Sequence, residues 1–299
     1  MNTLAFPTAA VLAFYCGLVL LASLAGGWLL LALRLTHTRL QTAVSFVAGL
    51  MLGMALLHFI PHAFQQSHAL DQTMQWTLGG FLVMFFLQRF FPHHHHDVSE
   101  GGPEHGSPGA AKSNSHPPAE HSARPLLWIG TTVGLTLHSL TDGVALAAAV
   151  AAEGGGQSGL MGLGTALVIV LHKPFDAMAI STLMAAGGSS RFARHLLNGL
   201  FALVTPLGAM LFYVGASHFF GANPVFLGGA LAFCAGTFLC IAGADLLPEL
   251  QFHAHDRFQL SLALLAGLGV AVVAGQLGHA SHDHHPEPAP VQTGQEQLR

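Results

Sequence analysis

Apolar runs close to 20 residues long recur along the whole chain, separated by shorter polar stretches. A run of that length crosses the roughly 30 Å hydrocarbon core of a bilayer as a helix. In hydrocarbon, only helices and closed barrels satisfy every backbone polar group, and the ten-residue alternation of a barrel strand is absent. The expected fold is therefore an all-α polytopic membrane protein with eight transmembrane helices, at about 5–33, 41–61, 73–91, 126–151, 160–186, 195–219, 225–248 and 260–278. Composition agrees, since 52% of the 299 residues are hydrophobic and 8% are charged, where a soluble domain carries roughly one quarter charged residues. The first run is long, begins without a basic cluster and has no small-residue cleavage pattern, so it reads as a helix and not as a signal peptide.

Short cytoplasmic connections collect Lys and Arg. Arg34 and Arg39 follow span 1, and Arg89, Lys112 and Arg124 bracket the connection after span 3. Arg191 and Arg194 follow span 5, and Arg257 follows span 7. These alternate connections mark the cytoplasmic side, so both termini are expected outside the cytoplasm of a multi-pass protein in the plasma (inner) membrane. A net charge of −4 without a dense basic face argues against nucleic acid as a partner. Cys16, Cys234 and Cys240 lie in apolar spans at spacings unlike a zinc ribbon or a redox pair, and read as small buried side chains.

Residues 92–124 combine Gly, Pro, Ser, acid and His without apolar periodicity, so they are expected to form a disordered cytoplasmic loop within a single transporter domain covering 1–299. His93, His94, His95 and His96 give that loop the composition of a weak metal-binding tract. The tail at 279–299 repeats the histidine theme on the opposite, extracytoplasmic side.

Two membrane spans carry chemistry at their centres. Span 4 contains "LTLHSLTDGVAL" and span 5 contains "LVIVLHKPFDAM", so each holds a His and an Asp four residues apart: His138 with Asp142, and His172 with Asp176. On a helix such a pair shares one face at about 5–6 Å. From the cytoplasmic ends of their spans, all four fall at depths of about 15–24 Å, one central band. Intramembrane ionisable groups are expensive and usually face a partner or a pathway. Two carboxylates with two neutral imidazoles suit a divalent ion that accepts N and O together, such as Zn2+, Fe2+, Mn2+ or Cd2+, better than oxygen-seeking Mg2+ or Ca2+. The competing explanation is a His–Asp hydrogen-bonded contact between helices, and two pairs at matching depth favour metal over it. Pro174 removes one helical hydrogen bond at the carbonyl of Val170 and is expected to kink or unwind span 5 beside the site.

These residues resemble the ZIP family of divalent metal transporters, the zinc- and iron-regulated transporter-like proteins. The resemblance covers nearly the whole chain: eight spans, a His-rich loop between spans 3 and 4, "HSLTDG" in span 4, "HKPFDA" in span 5 and "AGTFLCIAGADLLPEL" in span 7. It implies transport of metal, Zn2+ foremost, toward the cytoplasm through a primary site at His138, Asp142, His172 and Asp176. It further implies an elevator-like movement of helices 1, 4, 5 and 6 against the rest, and a homodimer. Many family members bind a second ion beside the first, where this chain has Ser139, Lys173 and Thr205. A lysine in that place implies a mononuclear site.

Span 2 also carries "HFIPH", with His58 and His62, and span 7 carries "DLLPE", with Asp245 and Glu249. The matched proline motifs in oppositely directed spans suggest an inverted repeat of spans 1–3 and 6–8 around spans 4–5. The four residues read either as relay ligands along a pathway or as capping and headgroup contacts at span ends. Two other functions fit parts of the pattern. A metal-dependent intramembrane hydrolase would need a metal, water and base, and neither His-Glu-x-x-His nor Gly-x-Ser-x-Gly occurs. A proton- or cation-coupled carrier without bound transition metal would use Lys173 and the aspartates as a relay.

Overall fold

The computed structural model describes residues 5–32, 37–90, 124–153, 161–216, 218, 223–246 and 257–279. The described residues are almost entirely helical and contain no strand. In chain order they form α1 (Ala5–Ala32), α2 (His37–Met54), a π-helical turn (Ala55–Phe59), α3 (Ile60–Ser67), α4 (Leu70–Phe90), α5 (Arg124–Glu153) and α6 (Leu163–Ala186). There follow α7 (Arg191–Ala202), α8 (Val204–Gly215), α9 (Pro224–Cys240), a second π-helical segment (Ile241–Leu246) and α10 (Arg257–His279). The His-rich loop, except for Arg124, and the tail beyond His279 lie outside the described residues, as does Glu249.

Seven helical segments among the described residues are long and apolar enough to cross a membrane: Thr8–Trp28, Thr38–Ser67, Thr132–Glu153, Leu163–Ala185, Arg191–Gly215, Pro224–Gly243 and Arg257–Leu277. The expected third span is α4, a helix of 21 residues that does not belong to this set. Asp71, Gln72 and Gln75 near its start and Gln88 and Arg89 at its end shorten its unbroken apolar stretch. Large apolar side chains point away from the bundle on several helices, including Phe14 and Leu21 on α1, Trp76 and Phe86 on α4, and Leu262 and Leu265 on α10. A surface so rich in exposed apolar side chains suits lipid.

Prolines shape the helices in more than one way. The α-helix continues unbroken through Pro174 from Leu163 to Ala186, so the expected unwinding does not occur. A proline forfeits only one helical hydrogen bond, and α1 packs there so closely that a Cβ on Gly26 would collide with the Pro174 carbonyl. Irregular backbone appears instead just before three other prolines. The π turn before Pro61 lets the Ile60 N–H bond back to the Ala55 carbonyl, and the second π segment precedes Pro248. The sixth expected span divides at Leu203, three residues before Pro206, where the Leu203 N–H turns to the Leu200 carbonyl at 3.2 Å.

The most extensive helix pairings are α2 with α10, α4 with α9, α5 with α8 and α1 with α6. Glycines set the first two. A Cβ on Gly49 would strike the Leu264 carbonyl, and one on Gly267 the Phe46 carbonyl. Likewise a Cβ on Gly80 would strike the Phe233 carbonyl, and one on Gly236 the Thr77 carbonyl. A shift of 187 residues (236 minus 49) carries Phe46, Gly49, Thr77 and Gly80 onto Phe233, Gly236, Leu264 and Gly267, so the two helix pairs meet in the same register. Small residues of this kind let membrane helices approach through their backbones. The largest core cluster lies between these pairs and α5, with Met51, Met54, Phe59, Ala145, Ala148, Ala149 and Phe238 buried together.

Replacing Gly236 with Leu is expected to lower the thermal unfolding midpoint of the detergent-solubilised protein, at a cost of about 1–3 kcal/mol for overpacking. Gly79→Leu, whose new Cβ meets nothing within 4 Å, is expected to leave the midpoint near that of the wild type.

Candidate metal centre

Helices α5 and α6 each present one imidazole and one carboxylate to a common point. The i, i+4 spacing puts His138 above Asp142 on α5 and His172 above Asp176 on α6. The structure brings all four together: one ligand atom from each lies within 4.8 Å of the others. His138, Asp142 and His172 are buried, and the Asp176 side chain is 13% exposed.

The separations describe a converging donor set. His138 Nε2 is 3.5 Å from Asp142 Oδ1 and 3.8 Å from Asp176 Oδ2. His172 Nε2 is 3.4 Å from Asp142 Oδ2 and 3.9 Å from Asp176 Oδ2. Two ligands of one tetrahedral ion with bonds of about 2.0–2.1 Å stand roughly 3.4 Å apart. Among the described residues, His138 Nε2, Asp142 Oδ1 and Asp176 Oδ2 are buried without a hydrogen-bond partner. Buried polar atoms are nearly always satisfied, so three orphaned acceptor-capable atoms facing one point fit a cation. His172 is also oriented from behind. Its Nδ1 lies 2.9 Å from the Val168 carbonyl, and donating there leaves the Nε2 lone pair for the cluster.

Lys173 sits on the same helix face and is fully buried. Its Nζ donates to Asp142 Oδ2 at 2.7 Å and to Ser139 Oγ at 2.8 Å, and lies 3.5 Å from Asp176 Oδ2. It also stands 5.3 Å from the centre of the Phe201 ring. Lys173 and Ser139, both taken from the sequence as marking a second-ion position, are therefore in direct contact. Thr205, the third, is buried on α8, where its carbonyl faces the Cα of Gly143. The ammonium also alters the charge balance reached from sequence. Two carboxylates, two neutral imidazoles and one ammonium total −1 in place of −2, with Asp142 Oδ2 shared by Lys173 and His172 and Oδ1 turned to His138.

Phe238 on α9 walls the site, edge-on to His138 at 5.4 Å and to His172 at 5.9 Å between ring centres. Neither it nor Phe201 was identifiable from sequence, because nothing distinguishes them from other aromatics in apolar spans. Of the pathway candidates, His58 and His62 come together with Glu153, the last residue of α5. Glu153 was missed, although it follows Asp142 by eleven residues and so occupies nearly the same helix face three turns on. Asp245 falls in the second π segment. The cysteines are free thiols, with Cys234 and Cys240 buried.

Compared with known protein families, residues 10–275 match the family described as ZIP zinc transporter. No curated protein matches the chain.

Removing the ammonium leaves Asp142 Oδ2 buried and uncompensated, which typically costs about 3–5 kcal/mol. Lys173→Met is therefore expected to lower the unfolding midpoint of metal-free protein. Added Zn2+ is expected to raise that midpoint further in the variant than in the wild type, as thermal unfolding with and without the ion would read.

Proposed function

The chain belongs to the ZIP family of zinc transporters, and from that membership we propose that it carries a divalent transition metal toward the cytoplasm through His138, Asp142, His172 and Asp176. Members of the family are transporters of divalent metals and not enzymes. The observation that carries the site assignment is the convergence of four buried N and O donors from two membrane helices within 4.8 Å. Zn2+ comes first as cargo, ahead of Fe2+, Mn2+ and Cd2+, because a compact His2Asp2 set matches its tetrahedral preference. The site takes one ion. Lys173 supplies the positive charge that a second ion would bring, and it uses the oxygen of Asp142 that a second ion would need.

Movement follows an elevator-like course in which α1, α5, α6, α7 and α8 shift against α2, α4, α9 and α10. The four most extensive pairings all fall within one group or the other, which supports the division. Alternating access of this kind suits the inverted repeat, with eight spans once α4 is counted. The repeat is supported by the shared glycine register, and by the π segments that precede Pro61 and Pro248 at the same 187-residue spacing (248 minus 61). His58 and His62 at one end of the path, and Asp245 and Glu249 at the other, serve as relay positions. Both termini lie outside the cytoplasm in the plasma (inner) membrane, and the protein works as a homodimer, with the His-rich loop at 92–124 gathering metal on the cytoplasmic side.

Protein reconstituted into vesicles should take up Zn2+, and the double variant His172→Ala, Asp176→Ala should abolish uptake. Unchanged uptake in the double variant would overturn the assignment. Lys173→Asp, which exchanges the resident cation for an acid, should bind one more Zn2+ than the wild type by elemental analysis of purified protein, and an equal count would rule out the role given to Lys173.

A further inference from the structure

The far end of α5 carries a second group of the same donor types. His58, in the π turn, and His62, in the first turn of α3, are one turn apart with ring centres separated by 4.4 Å. Both are buried, as is Glu153. Glu153 Oε1 lies 4.0 Å from His58 Nε2 and 3.8 Å from His62 Nε2. One ligand atom from each of the three lies within 4.8 Å of the others. These distances exceed the reach of an N–H···O hydrogen bond. They come close to the roughly 3.4 Å between two ligands of a tetrahedral zinc.

The surroundings hold the donors in position. Glu153 Oε2 accepts the N–H of Gly162 at 2.7 Å, which clips together the two ends of the α5–α6 connection. Gly162 has φ of +70°, a conformation suited to glycine. A clip needs only one carboxylate oxygen, and the other is turned toward two imidazoles. His62 Nδ1 lies 3.2 Å from the His58 carbonyl. Donation there puts the lone pair on Nε2, the arrangement by which metal-binding histidines are commonly oriented.

We infer that His58, His62 and Glu153 form a second site for a divalent transition metal, distinct from the central cluster. Two imidazoles and one carboxylate give three protein ligands, and three-ligand zinc sites keep a position for water or exchange. Eleven residues of α5 separate Glu153 from Asp142, about 16 Å along the helix. On the orientation read from the basic residues, this site stands at the extracytoplasmic end, ahead of the central cluster on the inward path. Its role as a staging point rests on the transport reading above, whereas its ability to bind an ion does not.

The test uses full-length protein in detergent, stripped of metal, loaded with excess Zn2+, passed through gel filtration and analysed for bound zinc. His62→Ala and Glu153→Gln should each retain one Zn2+ fewer than the wild type. The His172→Ala, Asp176→Ala protein should also retain one fewer, and combining it with His62→Ala should remove two. Any zinc held by the histidine-rich loop and tail is common to all five proteins and cancels from these differences. Glu153→Gln keeps an oxygen for the Gly162 N–H, so it gives a folded variant even where His62→Ala destabilises the protein. Equal zinc in wild type, His62→Ala and Glu153→Gln would overturn the site whatever happens to uptake. Loss of that ion with uptake unchanged at low Zn2+ would keep the site and overturn its staging role.

Discussion

An ammonium and a carboxylate 2.7 Å apart, both without exposure, stand at the centre of this membrane bundle. Neither could remain charged there alone, since isolated ions lose far more hydration in a low-dielectric interior than they regain. Their pairing permits the rest of the centre. With Asp142 Oδ2 compensated by Lys173, whose ammonium also donates to Ser139, the opposite oxygen and the other three donor residues converge on a single point. A buried cluster of cation-binding donors must stay folded both with and without an ion. A resident lysine eases the empty condition, because part of the negative charge is balanced when no ion is bound.

Local rules carried much of this structure. Hydrophobic length anticipated seven of the long apolar helices, and i, i+4 spacing put His138 with Asp142 and His172 with Asp176 on shared faces, because both depend only on neighbours along one helix. Residues whose meaning lies across a helix interface were harder. The contact of Lys173 with Ser139 joins two positions 34 residues apart, and Phe238 reaches both histidines from a third helix. Glu153 was in principle readable, since an acid eleven residues beyond Asp142 continues its face, but its position beside a glycine-rich turn gave it the look of a helix end. The prolines misled for a different reason. Pro174 has the same covalent chemistry as Pro61, yet the α-helix runs on through the one, where α1 packs against it, and a π turn precedes the other.

Two donor clusters on one helix also bear on the histidine motifs. At both, an imidazole uses Nδ1 toward a carbonyl four residues earlier and turns Nε2 to a carboxylate from another helix or turn. The repeated device needs no extra residue, because the helix supplies the carbonyl. It fixes a ring inside an apolar span where few other polar groups exist to do so.

The reciprocal glycine contacts of α2 with α10 and of α4 with α9 bear on how such a bundle can move. Where carbonyl meets Cα across a seam, there are no rotamers whose rearrangement could let the helices part gradually, and no gap into which an acyl chain could wedge. These seams therefore act as rivets, intact or broken with nothing between. Any compliance the protein has must be found in interfaces padded by side chains, and the same rivets leave these two seams no room for lipid.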